Sequence, residues 1–266
     1  MYKVEDVLLK VENVSLSYDR LILRDIQLEI CDVTRTGLVQ GQVVSLVGRS
    51  GIGKTQLFRI LSGLIQPDAG TVKIGKDQHP VKAGEVGIVP QNYILFNHRS
   101  IKENLKIGLR NAVDKNKYSE KDKEDLIHDY ANRFDLKDHL TKYPMELSGG
   151  QRQRVSIIQQ ILTGNEFILL DEPFSGLDNP MKDKVIELLL SISTLDELKT
   201  LVIISHDIES SLAISDTAFL LGNEPNKQGA TIIEKVDLMQ LNFAWNPDVK
   251  KSKAFQDLVL ELKYKI

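Results

Sequence analysis

The chain is poor in cysteine, tryptophan, long apolar runs and excess charge, and each shortage excludes something. Its one cysteine, Cys31, cannot close a disulfide within the chain, so a reducing compartment fits and an oxidised, disulfide-stapled scaffold does not. No stretch reaches the ~18 consecutive apolar residues of a membrane-spanning helix. The longest apolar runs, such as Phe167 to Leu170 and Leu201 to Ile204, have the length of buried strands. The opening residues Met1-Tyr2-Lys3-Val4-Glu5-Asp6 carry acids where a signal peptide has a basic region followed by an apolar one. A net charge of -3 and a pI near 6.0 give no electrostatic ground for nucleic acid or anionic lipid as a direct partner. A chain that is not embedded in a membrane, but can work beside one, is expected.

What is present is enough for a full core: 266 residues, 42% hydrophobic, room for one large domain or two small ones. Leu8 to Tyr18 and Ile22 to Ile30 alternate in part with period two, as strands with one solvated face do. Gln42 to Val47 is a short β-branched run that ends in glycine and leads into a helix-compatible stretch, Lys54 to Leu61. From Ile101 to Leu162 the pattern is helical, in three pieces: Ile101 to Leu105, Glu124 to Phe134 and Gln151 to Leu162. Buried-strand patterns return at Phe167 to Leu170 and Leu201 to Ile204, with a helix-like Met181 to Ile192 between them. Strands alternating with helices predict a largely parallel α/β core, with the helical block as an insertion whose ends feed back into it. Lys115 to Asp125, dense in charges of both signs, reads as a solvated helix face or loop. In the tail, Ala230 to Ile233 is a candidate strand, and Phe255, Leu258, Val259 and Leu262 recur at helical spacing. That helix is expected to pack on its own domain, a partner contact being the lesser alternative.

Gly48-Arg49-Ser50-Gly51-Ile52-Gly53-Lys54-Thr55 fits G-x-x-x-x-G-K-[ST] in full. The glycines let successive backbone N–H groups point at phosphate oxygens, and the helix that follows adds its positive dipole end. Lys54 would reach the β- and γ-phosphates and the Thr55 hydroxyl would ligate Mg²⁺. A glycine-rich turn with a chance lysine is the ordinary alternative, which the strand before and the helix after argue against. Asp171 and Glu172 end an apolar strand, where carboxylates need a partner. Asp171 suits a Mg²⁺ shell, and Glu172 suits a general base that orients an attacking water.

Between these lies Leu147-Ser148-Gly149-Gly150-Gln151. Ser148 offers a hydroxyl, and Gly149 and Gly150 permit close backbone approach at the start of a helix, so the run makes a second anion cradle. Its place in the helical insertion keeps it from its own phosphate loop.

Together these motifs resemble the ATPase subunits of ATP-binding cassette (ABC) transporters, over about residues 8–221. The resemblance implies an α/β fold: a P-loop NTPase core, an N-terminal antiparallel β-subdomain and an inserted α-helical subdomain. The core would span about 1–91 and 164–222, the helical subdomain 92–163, and a C-terminal extension 223–266. It implies ATP and Mg²⁺ as ligands, with Leu147 to Gln151 closing over ATP bound to a second subunit, a homodimer or a close paralogue. By the same resemblance Gln91 is the Q-loop glutamine that touches Mg²⁺, Asp178 in Ser175-Gly176-Leu177-Asp178 belongs to the D-loop, and His206 contacts the γ-phosphate. Tyr18 takes the place of the aromatic that stacks on adenine.

Three departures stand out. Gln56 replaces a usual second hydroxyl after Thr55, with an α-phosphate contact at stake; Cys31 to Gln40 resembles an insertion; and the tail is too short for the regulatory β-domain of some sugar-importer ATPases. Pro144-Met145-Glu146 before the signature and Leu170 to Asp178 are similar to importer-type ATPases, the nitrate, sulfonate and taurine group first. The resemblance thus implies a motor on the cytoplasmic face of a membrane, served by a separate transmembrane permease and a solute-binding protein. An ABC ATPase for lipid or lipoprotein extraction, cell division or iron–sulfur assembly is the alternative, and nucleic acid is not an expected partner.

Overall fold

Two kinds of strand meet in one ten-stranded sheet, and the seam between them carries the glycine loop. The computed structural model describes residues 2–35, 41–114, 117–194 and 200–266. Residues 36–40 of the Cys31 to Gln40 segment, and 115–116 of the charged stretch, lie outside the described residues.

The first kind of strand is antiparallel. β1 (Tyr2–Ser17) pairs with β2 (Leu21–Arg35) on one side and β4 (Ala69–Ile74) on the other, and β4 pairs with β5 (His79–Pro80). Cys31 to Arg35 continue β2 opposite Tyr2 to Val7, so the first half of the apparent insertion is strand. The second kind is parallel: β3 (Gln42–Val47), β8 (Thr200–Ser205), β7 (Phe167–Asp171) and β6 (Gly87–Val89) lie side by side in that order. β9 (Thr217–Asn223) and β10 (Ala230–Asp237) join the two halves, because β9 runs parallel to β3 while β10 lies antiparallel to β9 and touches β2. The 222/223 boundary therefore falls inside β9, and the tail supplies a strand of the sheet.

Parallel strands covered on both faces read as continuous apolar runs, and β3 and β8 are buried at every residue. Their side chains alternate between two cores. Leu169, Val202 and Leu46 face the antiparallel half and α1 (Lys54–Leu61); Ile168, Leu170, Leu201 and Ile203 face the helices between β6 and β7. Those helices are α2 (Ile101–Arg110), α3 (Glu120–Arg133) and α4 (Gly149–Ile161), followed beyond β7 by α5 (Asn179–Ser193).

Each of these four helices starts on a side chain that satisfies an orphan N–H. Ser100, Ser119 and Ser148 form reciprocal capping boxes with Glu103, Asp122 and Gln151, and Asp178 caps α5. A third core joins α6 (Ile208–Ile214) to α7 (Lys253–Lys265) through Leu212, Phe255, Val259 and Leu262, so the last helix packs on its own chain.

Candidate nucleotide-binding site

β3 delivers the chain to Gly48, whose N–H donates to the Ser205 carbonyl on the neighbouring β8 at 3.2 Å. A Cβ on Gly48 would lie 2.6 Å from the Leu221 carbonyl oxygen, so this approach is open only to glycine. Gly53, at φ 113°, turns the loop into α1 in a conformation that side chains rarely adopt. Lys54, the first residue of that helix, is buried with its ammonium turned back into the loop. Its Nζ donates to the carbonyls of Gly48 at 2.9 Å and Arg49 at 3.0 Å, and lies 3.2 Å from Glu172 Oε1.

Glu172 follows β7 at φ 52°, a left-handed geometry that costs a non-glycine residue roughly 1–2 kcal/mol. The neighbours that hold it there are specific. Its N–H donates to the Ile204 carbonyl at 2.7 Å; its Oε2 accepts from the Ser205 hydroxyl at 3.1 Å and the His206 N–H at 3.2 Å, and lies 2.7 Å from His206 Nδ1. One carboxylate thus spans the phosphate loop and the end of β8. Asp171 beside it is half-buried. Desolvation, then the nearby Glu172 charge, hold its carboxyl above the ordinary carboxylate range, against a smaller opposing pull from Lys54.

A cleft of about 440 Å³ opens over these groups. Tyr18, Ser50, Gly51, Gly53, Lys54, Thr55, Gln56, Gln91, Glu172 and His206 line it. Tyr18 in the β1–β2 turn and His206 in the β8–α6 turn, 188 positions apart, are brought to one opening because β2 joins β3 and β8 in one sheet through β10 and β9. Gln91 Nε2 donates to Ser175 Oγ at 3.2 Å, and Tyr18 Oη donates to Gln56 Oε1 at 3.1 Å. Gln56 is therefore a positioning partner for the aromatic ring. Ile52 sits against the core and lines a neighbouring cleft, and Asp171 lies behind the opening.

Ser175, inside the quoted Ser175 to Asp178 run, and Ser205, next to His206, are site residues that sequence reasoning passed over, because only strand pairing reveals what they touch. Asp178 does not line the cleft, since its Oδ1 accepts from the Met181 N–H at 3.0 Å as the cap of α5. The Leu147 to Gln151 run is elsewhere. Leu147 is buried in the helical core, Ser148 and Gly149 are exposed, and Gly150 and Gln151 line a separate cleft of about 620 Å³ against α5. Within one chain the two glycine cradles do not share an opening.

The residues fit a hard divalent cation. Asp171 Oδ1 is buried with no hydrogen-bond partner among the described residues, and the Thr55 hydroxyl and Gln91 amide stand at the same opening. No cluster of three or more His, Cys, Asp or Glu side chains able to hold a metal occurs among the described residues. An ion here would draw the rest of its oxygen shell from phosphate and water, as Mg²⁺ does.

Residues 32–175 match the family model described as ABC transporter. The sulfate/thiosulfate import ATP-binding protein CysA of Pectobacterium atrosepticum is 36% identical over 73% of this chain and 59% of its own length. An uncharacterised ABC transporter ATP-binding protein of Bacillus subtilis, YtlC, is 39% identical over 70% of each chain. The spermidine/putrescine import ATP-binding protein PotA of Nitratidesulfovibrio vulgaris is 33% identical over 82% of this chain and 57% of its own. This chain thus spans just under three fifths of the CysA and PotA relatives. Among solved structures, cbiO1 of Clostridium perfringens, part of the ABC transporter complex cbiONQ, superimposes with a TM-score of 0.73. It covers 98% of this chain and 97% of its own at 24% identity, a likeness of fold.

Proposed function

This chain belongs to the ABC transporter family, and on that footing we propose that it is an ATP-hydrolysing motor subunit that works as a head-to-tail pair. The observation that carries the reading is Glu172, held between Lys54 and His206 at the mouth of the phosphate-loop cleft. ATP enters with its triphosphate along residues 48–55 and its base toward Tyr18. As the γ-phosphate arrives, Lys54 exchanges the loop carbonyls and Glu172 for phosphate oxygens. That frees Glu172 Oε1 to accept a proton from water as the water oxygen bonds to the γ-phosphorus and the bond to the bridging oxygen of ADP breaks.

Mg²⁺ held by Thr55, Asp171 and Gln91 would neutralise phosphate charge. His206 keeps Glu172 aimed and can turn toward the γ-phosphate. The second cradle, Ser148 to Gly150, serves ATP on the opposing subunit, since it has no access to the cleft of its own chain. The Asp178 turn, which caps the α5 helix lining the same cleft as Gly150, faces the same partner.

Among the described residues no helix is long and apolar enough to cross a membrane. The family, and relatives named as import ATP-binding proteins, support a transmembrane permease as the partner that carries the load, with the motor on its cytoplasmic face. The import names of the CysA and PotA relatives favour inward transport, fed by a solute-binding protein.

The test is Glu172→Gln. Turnover should fall by at least about 10²-fold while ATP still binds, and ATP should convert monomer to dimer on size exclusion. Wild-type phosphate release by that variant would remove Glu172 from its role.

A further inference from the structure

The turn that presents Ser148 is not held by its capping box alone. Ser148 N–H donates to Gln151 Oε1 at 2.9 Å, and Gln151 N–H donates back to Ser148 Oγ at 3.3 Å. Arg152 N–H takes the Ser148 carbonyl at 3.0 Å, so the box leaves the N–H groups of Gly149 and Gly150 as the helix's outward donors. Space for a close ligand is available there, because a Cβ on Gly149 would meet nothing within 4 Å.

Behind the box stands His139. Its Nε2 lies 2.9 Å from Gln151 Nε2. With Gln151 Oε1 already accepting from Ser148, the amide can offer His139 only its N–H, so the imidazole must accept at Nε2 and carry its proton on Nδ1. The opposite arrangement would set the Gln151 amide nitrogen against the Ser148 N–H, donor facing donor.

The backbone that carries the ring is fixed on both sides. His139 N–H donates to the Leu136 carbonyl at 2.9 Å, and its own carbonyl accepts from Lys142 N–H at 3.0 Å. Nδ1 is buried without a hydrogen-bond partner among the described residues, so the Gln151 contact is the polar contact that sets the ring's orientation.

We propose that His139 is a positioning residue for ATP hydrolysis in trans. A chain of hydrogen bonds runs from His139 Nε2 through the Gln151 amide to the Ser148 N–H, and holds the Gly149 and Gly150 donors in the direction a partner-bound phosphate needs. The inference rests on the composite-site reading above. It assigns to a histidine nine residues before Ser148, outside every motif of the site, a part in that site.

The experiment compares His139→Phe, which keeps an aromatic ring without an acceptor, with His139→Gln, whose side-chain amide can accept near the place of Nε2. Turnover at saturating ATP should fall about tenfold in His139→Phe, the loss of one hydrogen bond in a preorganised site. His139→Gln should stay within about twofold of wild type, and the ATP dissociation constant of the isolated monomer should not change in either. Wild-type turnover in His139→Phe, or equal impairment of both variants, overturns the proposal. Should His139→Phe lose monomer ATP binding through misfolding, His139→Asn takes its place, with an amide too short to reach Gln151 and the same expected loss. Ser148→Arg is measured alongside. If it cripples hydrolysis while His139→Phe does not, only the role of His139 falls; if Ser148→Arg hydrolyses normally, the composite site falls and this proposal with it.

Discussion

Lys54 Nζ and Glu172 Oε1 lie 3.2 Å apart, with side-chain exposures of only 7% and 13%. The pair ties the phosphate loop to the end of β7 in the same geometry that exchange with a γ-phosphate would dissolve. Lys54→Met removes the cation and leaves a nearly buried carboxylate with its remaining donors, Ser205 and His206. Unfolding free energy without nucleotide should drop by about 1–3 kcal/mol. Adding Glu172→Gln to that variant should restore part of the loss, because the stranded charge is gone. Urea titration of the two single variants and the double gives the coupling. Strict additivity would mean that Lys54 and Glu172 do not stabilise one another.

Tyr18 and Gln56 separate ring from hydroxyl. The phenol donates to Gln56 Oε1, while the ring is 59% exposed at the cleft and able to stack on a base. Tyr18→Ala should weaken ATP binding by about 1–3 kcal/mol, the range for base–aromatic stacking. Tyr18→Phe should change it little. Calorimetric titration with ATP checks both, and equal losses in the two variants would assign the binding energy to the Gln56 contact instead.

β3, β7 and β8 were legible in the sequence because strands covered on both faces are runs of apolar residues with little else in them. β5 and β6, at two and three residues, are too short to carry a period, and α6 has fewer than two full turns of pattern. Gln56 was readable only as a missing hydroxyl. Its partner Tyr18 is 38 positions away and meets it through the β1–β2 turn, which no local pattern encodes. Gln91 and Ser175 meet for a similar reason, since β6 pairs with β7 and sets both segments at one edge. The distance of Ser148 from its own phosphate loop was foreseeable, because a cradle inside a helical insertion has its own cleft.

Glu124 supplies a pH probe remote from chemistry. Its carboxylate on α3 meets Lys102 at 2.7 Å and Lys106 at 2.5 Å on α2, and these two ammonium groups hold its pKa down at about 2. A carboxyl depressed from 4.5 in the folded chain stabilises above 4.5 and loses that contribution as pH falls toward about 2. Glu124→Gln should therefore cost about 1 kcal/mol or less at pH 7, since all three side chains are a third exposed and screened by solvent. The gap from wild type should narrow below pH 4.5 and shrink with added salt. A gap that persists unchanged at pH 3 would assign the loss to packing rather than charge.

Asp171 runs the other way. Its carboxyl is raised in the folded chain, chiefly by desolvation and then by Glu172, so ionisation is easier in the unfolded chain than in the folded one. A raised carboxyl adds nothing below its ordinary value of 3.8, where both states are protonated, and weakens the fold progressively as pH rises through its folded pKa. Asp171→Asn should consequently raise the thermal midpoint at pH 7, and the advantage should fade as pH falls toward 4. Mg²⁺-dependent hydrolysis should be lost in the same variant. A carboxylate that costs stability is kept for what it binds, and the unpartnered Oδ1 of Asp171 fits the proposed role of cation ligand. Melting curves from pH 4 to pH 8 decide the matter. A variant less stable than wild type at neutral pH would mean that the fold needs this charge for itself, and the case for Asp171 as a cation ligand would lose its energetic basis.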